Sequence, residues 1–190
     1  AANSPVIVVH YDCFVKIDTW YHEPEELIPT IWLQGNKALY DPEGYIQDVI
    51  DKSAELKYQP TSQEVLQWRG KVFAYVHETY RSVMRGEIYY ALSNLDRLRW
   101  MMAYGWHMEQ GKRIDGPFGV WSKIEGPRSE LKDWQLNKLA EWHSSREKKE
   151  ILNTIANIAP KFLTLNLELS QITDIDPEEE LCKEIIQLVA

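Results

Sequence analysis

The sequence predicts an α+β protein, in which a short segment rich in β-forming residues precedes a longer helical region. Two runs of β-branched and aromatic residues, at 6–11 and 14–22, open the chain and are typical of strands. From residue 61 onward, apolar residues recur every three or four positions, which is typical of amphipathic helices. The pattern changes shortly before this point, so we expect one unit at 1–57 and a second at 58–190.

The first unit is expected to begin with a hairpin, because Asp12-Cys13 separates the two β-rich runs and suits a tight turn. A proline near the start of the next segment favours a short helical turn. The elements expected after the hairpin are a helical turn at 23–27, weak extended segments at 31–33 and 37–40, a turn at 41–44 and a helix at about 45–56.

The helical region has a defined start, because Thr61-Ser62-Gln63-Glu64 has the pattern of a capping box. One apolar stripe covers 65–83, and Arg85-Gly86-Glu87 separates it from a second stripe at 88–102. Segment 111–127 holds four glycines and two prolines and is expected to be a loop. Three further helices, expected at 131–142, at 148 to about 170 and at 177–189, complete a helical bundle.

Composition excludes several classes of protein. The chain has 21 Lys and Arg against 29 Asp and Glu, a net charge of −8, which argues against a protein that coats nucleic acid and is compatible with a cationic small-molecule partner. Cys13 and Cys182 have neither metal-binding nor disulfide spacing, which favours a reducing, cytoplasmic location. The apolar runs are too short to span a membrane.

Because the chain lacks an initial methionine and enters a strand directly, we expect it to start inside a larger protein.

Asp18 is the most informative residue of the β-rich segment, because an apolar strand normally excludes a central carboxylate. On a two-residue repeat it shares one face with Lys16 and Trp20, a setting that suits a metal ion or a charged ligand. The opposite face, expected to be core, carries Val15, Ile17, Thr19 and Tyr21. The alternatives are an incidental aspartate on an edge strand and a solvated Lys16 whose stem packs on Trp20.

Three motifs occur in a defined order along the chain. Val15-Lys16-Ile17-Asp18 comes first, Ala38-Leu39-Tyr40-Asp41-Pro42-Glu43-Gly44 precedes a helix, and Arg85-Gly86-Glu87 joins two long helices. In this order they resemble the second half of the aminoglycoside and lincosamide nucleotidyltransferase family, a branch of the polymerase-β-like superfamily. The first motif resembles the strand that supplies the third active-site carboxylate. The second is similar to the turn before the helix that closes the palm, and the third to the helical substrate lobe.

The resemblance implies a partial nucleotidyltransferase palm (β-hairpin, short strand, helix) at 1–57 and a helical substrate-binding lobe at 58–190. It implies transfer of a nucleoside monophosphate from a nucleoside triphosphate to a hydroxyl group of a small molecule. An aminoglycoside-like antibiotic is one candidate acceptor, which would make antibiotic resistance the biological role; other small metabolites and a protein side chain are the alternative acceptors. Mg²⁺ is the implied cofactor. Neither nucleic acid nor a membrane is an expected partner.

The resemblance also implies roles for individual residues. Asp18 would be a catalytic carboxylate and a metal ligand, and Lys16 would contact a phosphate group. Glu78 would offer a catalytic carboxylate to the acceptor hydroxyl, and His77 and Tyr80 would contact the substrate. An ordinary exposed glutamate on a helix is the simpler alternative for Glu78.

The chain departs from the family pattern in one respect. The family signature is a Gly-Ser turn followed by an Asp-x-Asp strand, and the sequence contains no Gly-Ser pair. Its single Asp-x-Asp, at 174–176, precedes Pro177 and a helix, and is expected to start that helix. Because one carboxylate holds Mg²⁺ poorly, we expect the chain alone to be catalytically inactive.

Three alternatives follow from this departure. The missing carboxylates could come from a partner chain. The chain could instead be a non-catalytic helical protein-interaction module, in which Asp18 is incidental. An uncovered hairpin edge would also invite pairing with a second copy, which predicts a homodimer.

Overall fold

The structure, a computed structural model, describes residues 6–114 and 121–189. The described residues contain one two-stranded antiparallel sheet and six α-helices, so the α+β class is confirmed. The elements are β1 (Val6–His10), β2 (Lys16–Trp20), α1 (Tyr45–Ala54), α2 (Ser62–Arg85), α3 (Ile88–Glu109), α4 (Asp133–Glu141), α5 (Lys148–Thr173) and α6 (Glu179–Gln187). The chain divides into two compact units, Ala1–Lys57 and Tyr58–Ala190.

The hairpin of β1 and β2 is present, but a bulged turn closes it. The N–H of Phe14 donates to the carbonyl of Tyr11 at 3.0 Å, and the N–H of Tyr11 donates to the carbonyl of Val15 at 2.9 Å. Phe14 has a φ of +59°, the left-handed conformation of a bulge residue. The tight turns of two-residue hairpins need a positive φ at a central residue, and neither Asp12 nor Cys13 has one.

Both faces of the hairpin are exposed. The face predicted to be core carries Val15 and Ile17, which are 48% and 47% exposed, so that prediction is wrong. Trp20, on the opposite face, is 62% exposed. The physical reason is size, because a ribbon of two five-residue strands has too little surface to bury a face of its own.

The segment predicted to be a short strand at 31–33 is a turn of 3₁₀ helix. The N–H of Thr30 donates to Oγ of Ser53 at 3.1 Å, and Nε2 of Gln34 donates to the carbonyl of Ser53 at 2.8 Å. The end of α1 therefore satisfies these polar groups, and the segment needs no strand partner. Residues 37–40 are not in a strand either. The third strand predicted for the palm is thus wrong within the described residues.

The turn that precedes α1 forms as predicted. The N–H of Gly44 donates to the carbonyl of Asp41 at 3.2 Å, and Oδ2 of Asp41 accepts the N–H of Gln47 at 2.8 Å. Gly44 has a φ of +72°, a conformation that glycine adopts at little cost. The aspartate and the glycine of the motif therefore set where the helix begins.

The second unit is built mainly on α2, α3 and α5. The predicted capping box starts α2: Oγ1 of Thr61 accepts the N–H of Glu64 at 3.2 Å, and Oε2 of Glu64 accepts the N–H of Thr61 at 2.8 Å. The helix ends at Gly86, whose φ of +77° is typical of a helix terminus. In the interior, Nε1 of Trp68 donates to the carbonyl of Met101 at 2.7 Å and ties α2 to α3.

A buried arginine holds the connection between α5 and α6. Arg69, on α2, is 2% exposed, and its Nε donates to Oδ1 of Asn166 at 2.8 Å. Its Nη2 donates to the carbonyl of Asp176 at 2.8 Å, and its Nη1 forms an ion pair with Glu178 at 2.6 Å. Asp174 ends α5, and Oδ1 of Asp176 accepts the N–H of Glu178. The Asp-x-Asp pair therefore serves this connection.

The predicted loop between α3 and α4 contains two turns of 3₁₀ helix, Trp121–Lys123 and Gly126–Arg128. Its residues 115–120 lie outside the described residues.

Across the part of the chain that is described, every helix is either too short or too polar to cross a bilayer.

Candidate functional site

Asp18 lies at the centre of β2, directly opposite Val8 of β1. Its side chain is 38% exposed, and its Oδ2 lies 2.8 Å from Nζ of Lys16. Lys16 in turn lies opposite His10 across the two strands. The structure therefore brings the two predicted site residues of the hairpin together, as an ion pair on one face.

The ion pair between Lys16 and Asp18 would compete with a metal ion for the Asp18 carboxylate. Mg²⁺ takes about six oxygen ligands in near-octahedral geometry. Within 6–114 and 121–189, no group of three or more His, Cys, Asp or Glu side chains is placed to hold a metal ion. The described residues therefore do not form a Mg²⁺ cage by themselves. Asp18 offers one carboxylate, for which a cation would compete with Lys16.

The other three predicted site residues share one turn of α2. Glu78 is half-buried, and its Oε1 accepts a hydrogen bond from Nη1 of Arg81 at 2.7 Å. His77 is exposed, whereas Tyr80 is half-buried and packs against the core of the helical unit. The side chain of Glu78 is therefore already paired with a cation one turn further along its own helix.

A second ion pair spans the turn between α2 and α3. Nε and Nη2 of Arg85 donate to the two carboxylate oxygens of Glu87, at 2.9 and 2.7 Å. These hydrogen bonds lower the pKa of Glu87 and raise the pKa of Arg85. Gly86, between them, supplies the left-handed conformation that ends α2. The Arg-Gly-Glu motif therefore fixes the turn between the two long helices.

Beside this turn lies an exposed group of aromatic residues that was not predicted from the sequence. Tyr89 and Tyr90, in the first turn of α3, are 81% and 44% exposed. The guanidinium of Arg146 lies over the ring of Tyr89, 4.3 Å from its centroid. We call these three residues the tyrosine patch. Adjacent tyrosines after a helix start are a visible signal, but Arg146 follows α4 and only the fold brings it to them.

A cleft of about 220 Å³ in the helical unit was also not predicted. Asp96 accepts hydrogen bonds from Nε1 of Trp121 at 3.1 Å and from Nη1 of Arg99 at 2.9 Å. Nη2 of Arg99 also donates to the carbonyl of Leu139 at 2.8 Å. These hydrogen bonds tie α3 to α4 and to the turn at Trp121. Because they already use the polar groups of Asp96 and Arg99, the cleft offers a ligand few free hydrogen-bonding partners.

Comparison with known proteins adds no family. No protein-family model matches the chain, and no curated protein is significantly similar to it. The family assignment therefore rests on the three sequence motifs alone, and it stays a prediction.

Proposed function

We propose that this chain is the acceptor-binding portion of a Mg²⁺-dependent nucleotidyltransferase, which transfers a nucleoside monophosphate from a nucleoside triphosphate to a hydroxyl group of a small molecule. The observation that supports it best is Asp18, a carboxylate at the centre of a hairpin strand, followed in chain order by the turn at 41–44, α1 and a helical unit. We propose an aminoglycoside-like antibiotic as acceptor, a cationic molecule with which the net charge of −8 is compatible, although this charge does not select it.

In this proposal each site residue has one task. Lys16 contacts a phosphate oxygen of the triphosphate, and Asp18 serves as one carboxylate of the metal site. Glu78 takes the proton of the acceptor hydroxyl, for which it must exchange its hydrogen bond with Arg81. His77 and Tyr80, on the same turn of α2, contact the acceptor. Bound Mg²⁺ would stabilise negative charge on the reacting phosphate.

Melting temperature tests the role of Asp18. We expect Mg²⁺ with a nucleoside triphosphate to raise the melting temperature of the chain, because a ligand that binds only the folded state stabilises it. Asp18→Asn should abolish this shift, and Lys16→Gln should reduce the part that depends on nucleotide. Asp12→Asn is the matched control, since it removes a carboxylate from the turn of the same hairpin. Equal shifts in the wild type and in Asp18→Asn would contradict a metal-binding role.

Turnover by the chain alone is a separate measurement. Because the described residues offer no group of three metal ligands, we expect no nucleotide transfer with Mg²⁺, a nucleoside triphosphate and an aminoglycoside. Measurable transfer would show that the chain contains a complete catalytic centre.

A second candidate function is a non-catalytic helical protein-interaction module. The pairing of Asp18 with Lys16 and of Glu78 with Arg81 favours it, because both carboxylates then have structural partners. The exposed tyrosine patch would suit a protein surface. If Asp18→Asn leaves the ligand-dependent melting shift unchanged, this second function becomes the better account.

A further inference from the structure

The outer edge of β2 has no strand partner among the described residues, where the sheet consists of β1 and β2 alone. Its residues Ile17 and Trp20 are also exposed, as is Val15 just before the strand. An exposed edge presents a row of backbone N–H and C=O groups that can pair with another strand.

The hydrogen bonds of the hairpin show which backbone groups face this edge. The N–H of Tyr11 donates to the carbonyl of Val15, and bonded pairs alternate with non-bonded pairs along an antiparallel ladder. With the observed register, Ile17 therefore directs its N–H and C=O toward β1. Lys16 and Asp18 direct theirs to the outer edge.

The charges on this edge favour one way for two copies to pair, because only one register places Lys16 and Asp18 opposite each other. A strand that pairs antiparallel with a second copy of itself about Ile17 places Lys16 opposite Asp18 of the partner subunit, twice by symmetry. Pairing about Lys16 or about Asp18 would instead place like charges directly opposite each other. The edge of β1, Val6–His10, contains no lysine, arginine or carboxylate and selects no register in this way.

We propose that two copies of this chain form a homodimer through β2, with antiparallel strands and Ile17 on the two-fold axis. The two hairpins then form one four-stranded sheet. Each edge contributes few residues, so we expect a weak dimer whose population depends on protein concentration. This proposal does not depend on the proposed enzymatic function.

Disulfide trapping tests the register. In a Cys13→Ser background, Ile17→Cys should form a covalent dimer under mild oxidation, because residues facing each other at a non-bonded position lie about 4.5 Å apart between Cα atoms. Thr19→Cys is the matched control on the same face of the strand. Two copies of residue 19 would be about 14 Å apart along the strands, too far for a disulfide. Cross-linking through residue 19 rather than 17 would overturn the register.

Sedimentation velocity tests the charge pairing. Lys16→Asp and Asp18→Lys should each weaken the dimer about tenfold, because each places like charges opposite one another. A mixture of the two variants should restore dimers, because every facing pair is then of opposite sign. Each variant still lacks its own Lys16–Asp18 ion pair, so recovery on mixing reports only contacts between copies. A wild-type chain that stays monomeric at the highest attainable concentration, or a mixture that fails to recover, would overturn the proposal.

Discussion

His107 is the clearest case of a single side chain that links the stability of this protein to pH. The residue is 4% exposed, and its Nδ1 donates to the carbonyl of Ala103 at 2.9 Å. Burial lowers the pKa of His107 below its ordinary value of 6.5, although the hydrogen bond to Ala103 and the charge of Glu130 act in the opposite direction. The folded protein therefore favours the neutral imidazole.

We expect the free energy of unfolding to fall as the pH is lowered through 6.5, because the unfolded chain then binds a proton that the folded chain does not. The fall should be at most about 1.4 kcal/mol per pH unit and should end below the folded pKa. Urea unfolding at a series of pH values measures it. His107→Gln should flatten this part of the profile, whereas His143→Gln, at an exposed site, should preserve it. An equal slope in His107→Gln would contradict this explanation.

At the scale of helices, close packing of α2, α3 and α5 depends on Gly105. A Cβ atom at this position would lie 2.7 Å from Cδ2 of Leu165 and 2.9 Å from Cζ2 of Trp68. Trp68 cannot easily move, because its Nε1 is hydrogen-bonded to Met101 in the interior. We therefore expect Gly105→Ala to destabilise the protein by about 1–3 kcal/mol, even though alanine favours a helix.

Gly70 is the matched control for Gly105, because it lies in α2 and a Cβ atom there would meet nothing within 4 Å. Gly70→Ala should stabilise the protein by about 0.5–1 kcal/mol. Urea unfolding of both variants gives the comparison. If the two substitutions had the same sign and size, the short distances around Gly105 would not limit the approach of the helices.

The elements that the sequence predicted correctly depend on local chemistry. The capping box at Thr61 and the turn at Asp41–Gly44 use residues that are close in the chain, so their patterns are visible. The prediction of an extended segment at 31–33 was wrong, because a short apolar run fits a strand or a 3₁₀ turn equally well. Ser53, more than 20 residues away, decides between them through its bond to Thr30.

The sequence also predicted only part of the candidate site. Alternation along β2 placed Lys16 beside Asp18, and the structure pairs them. The sequence gives no sign that Arg69 is buried, because its partners lie about a hundred residues further along the chain. The contact between Tyr89 and Arg146 was invisible for the same reason.

At the scale of the whole chain, buried apolar surface is concentrated in the second unit. Every member of the main hydrophobic cluster lies between Val65 and Val189. In the described part of the first unit, only Val49 and Ser53 are buried. Because burial of apolar surface is the main favourable contribution to folding, the two units should differ strongly in their stability when isolated.

We expect residues 58–190 expressed alone to fold, with a cooperative thermal transition and a circular dichroism spectrum typical of helices. Residues 1–57 expressed alone should show no cooperative transition, because a two-stranded hairpin and one short helix bury too little surface. The 190-residue chain measured under the same conditions is the reference. If residues 58–190 aggregated or unfolded without a cooperative transition, the helical unit would need the first 57 residues to fold. The apolar surface buried within the helical unit would then not be enough to explain its stability.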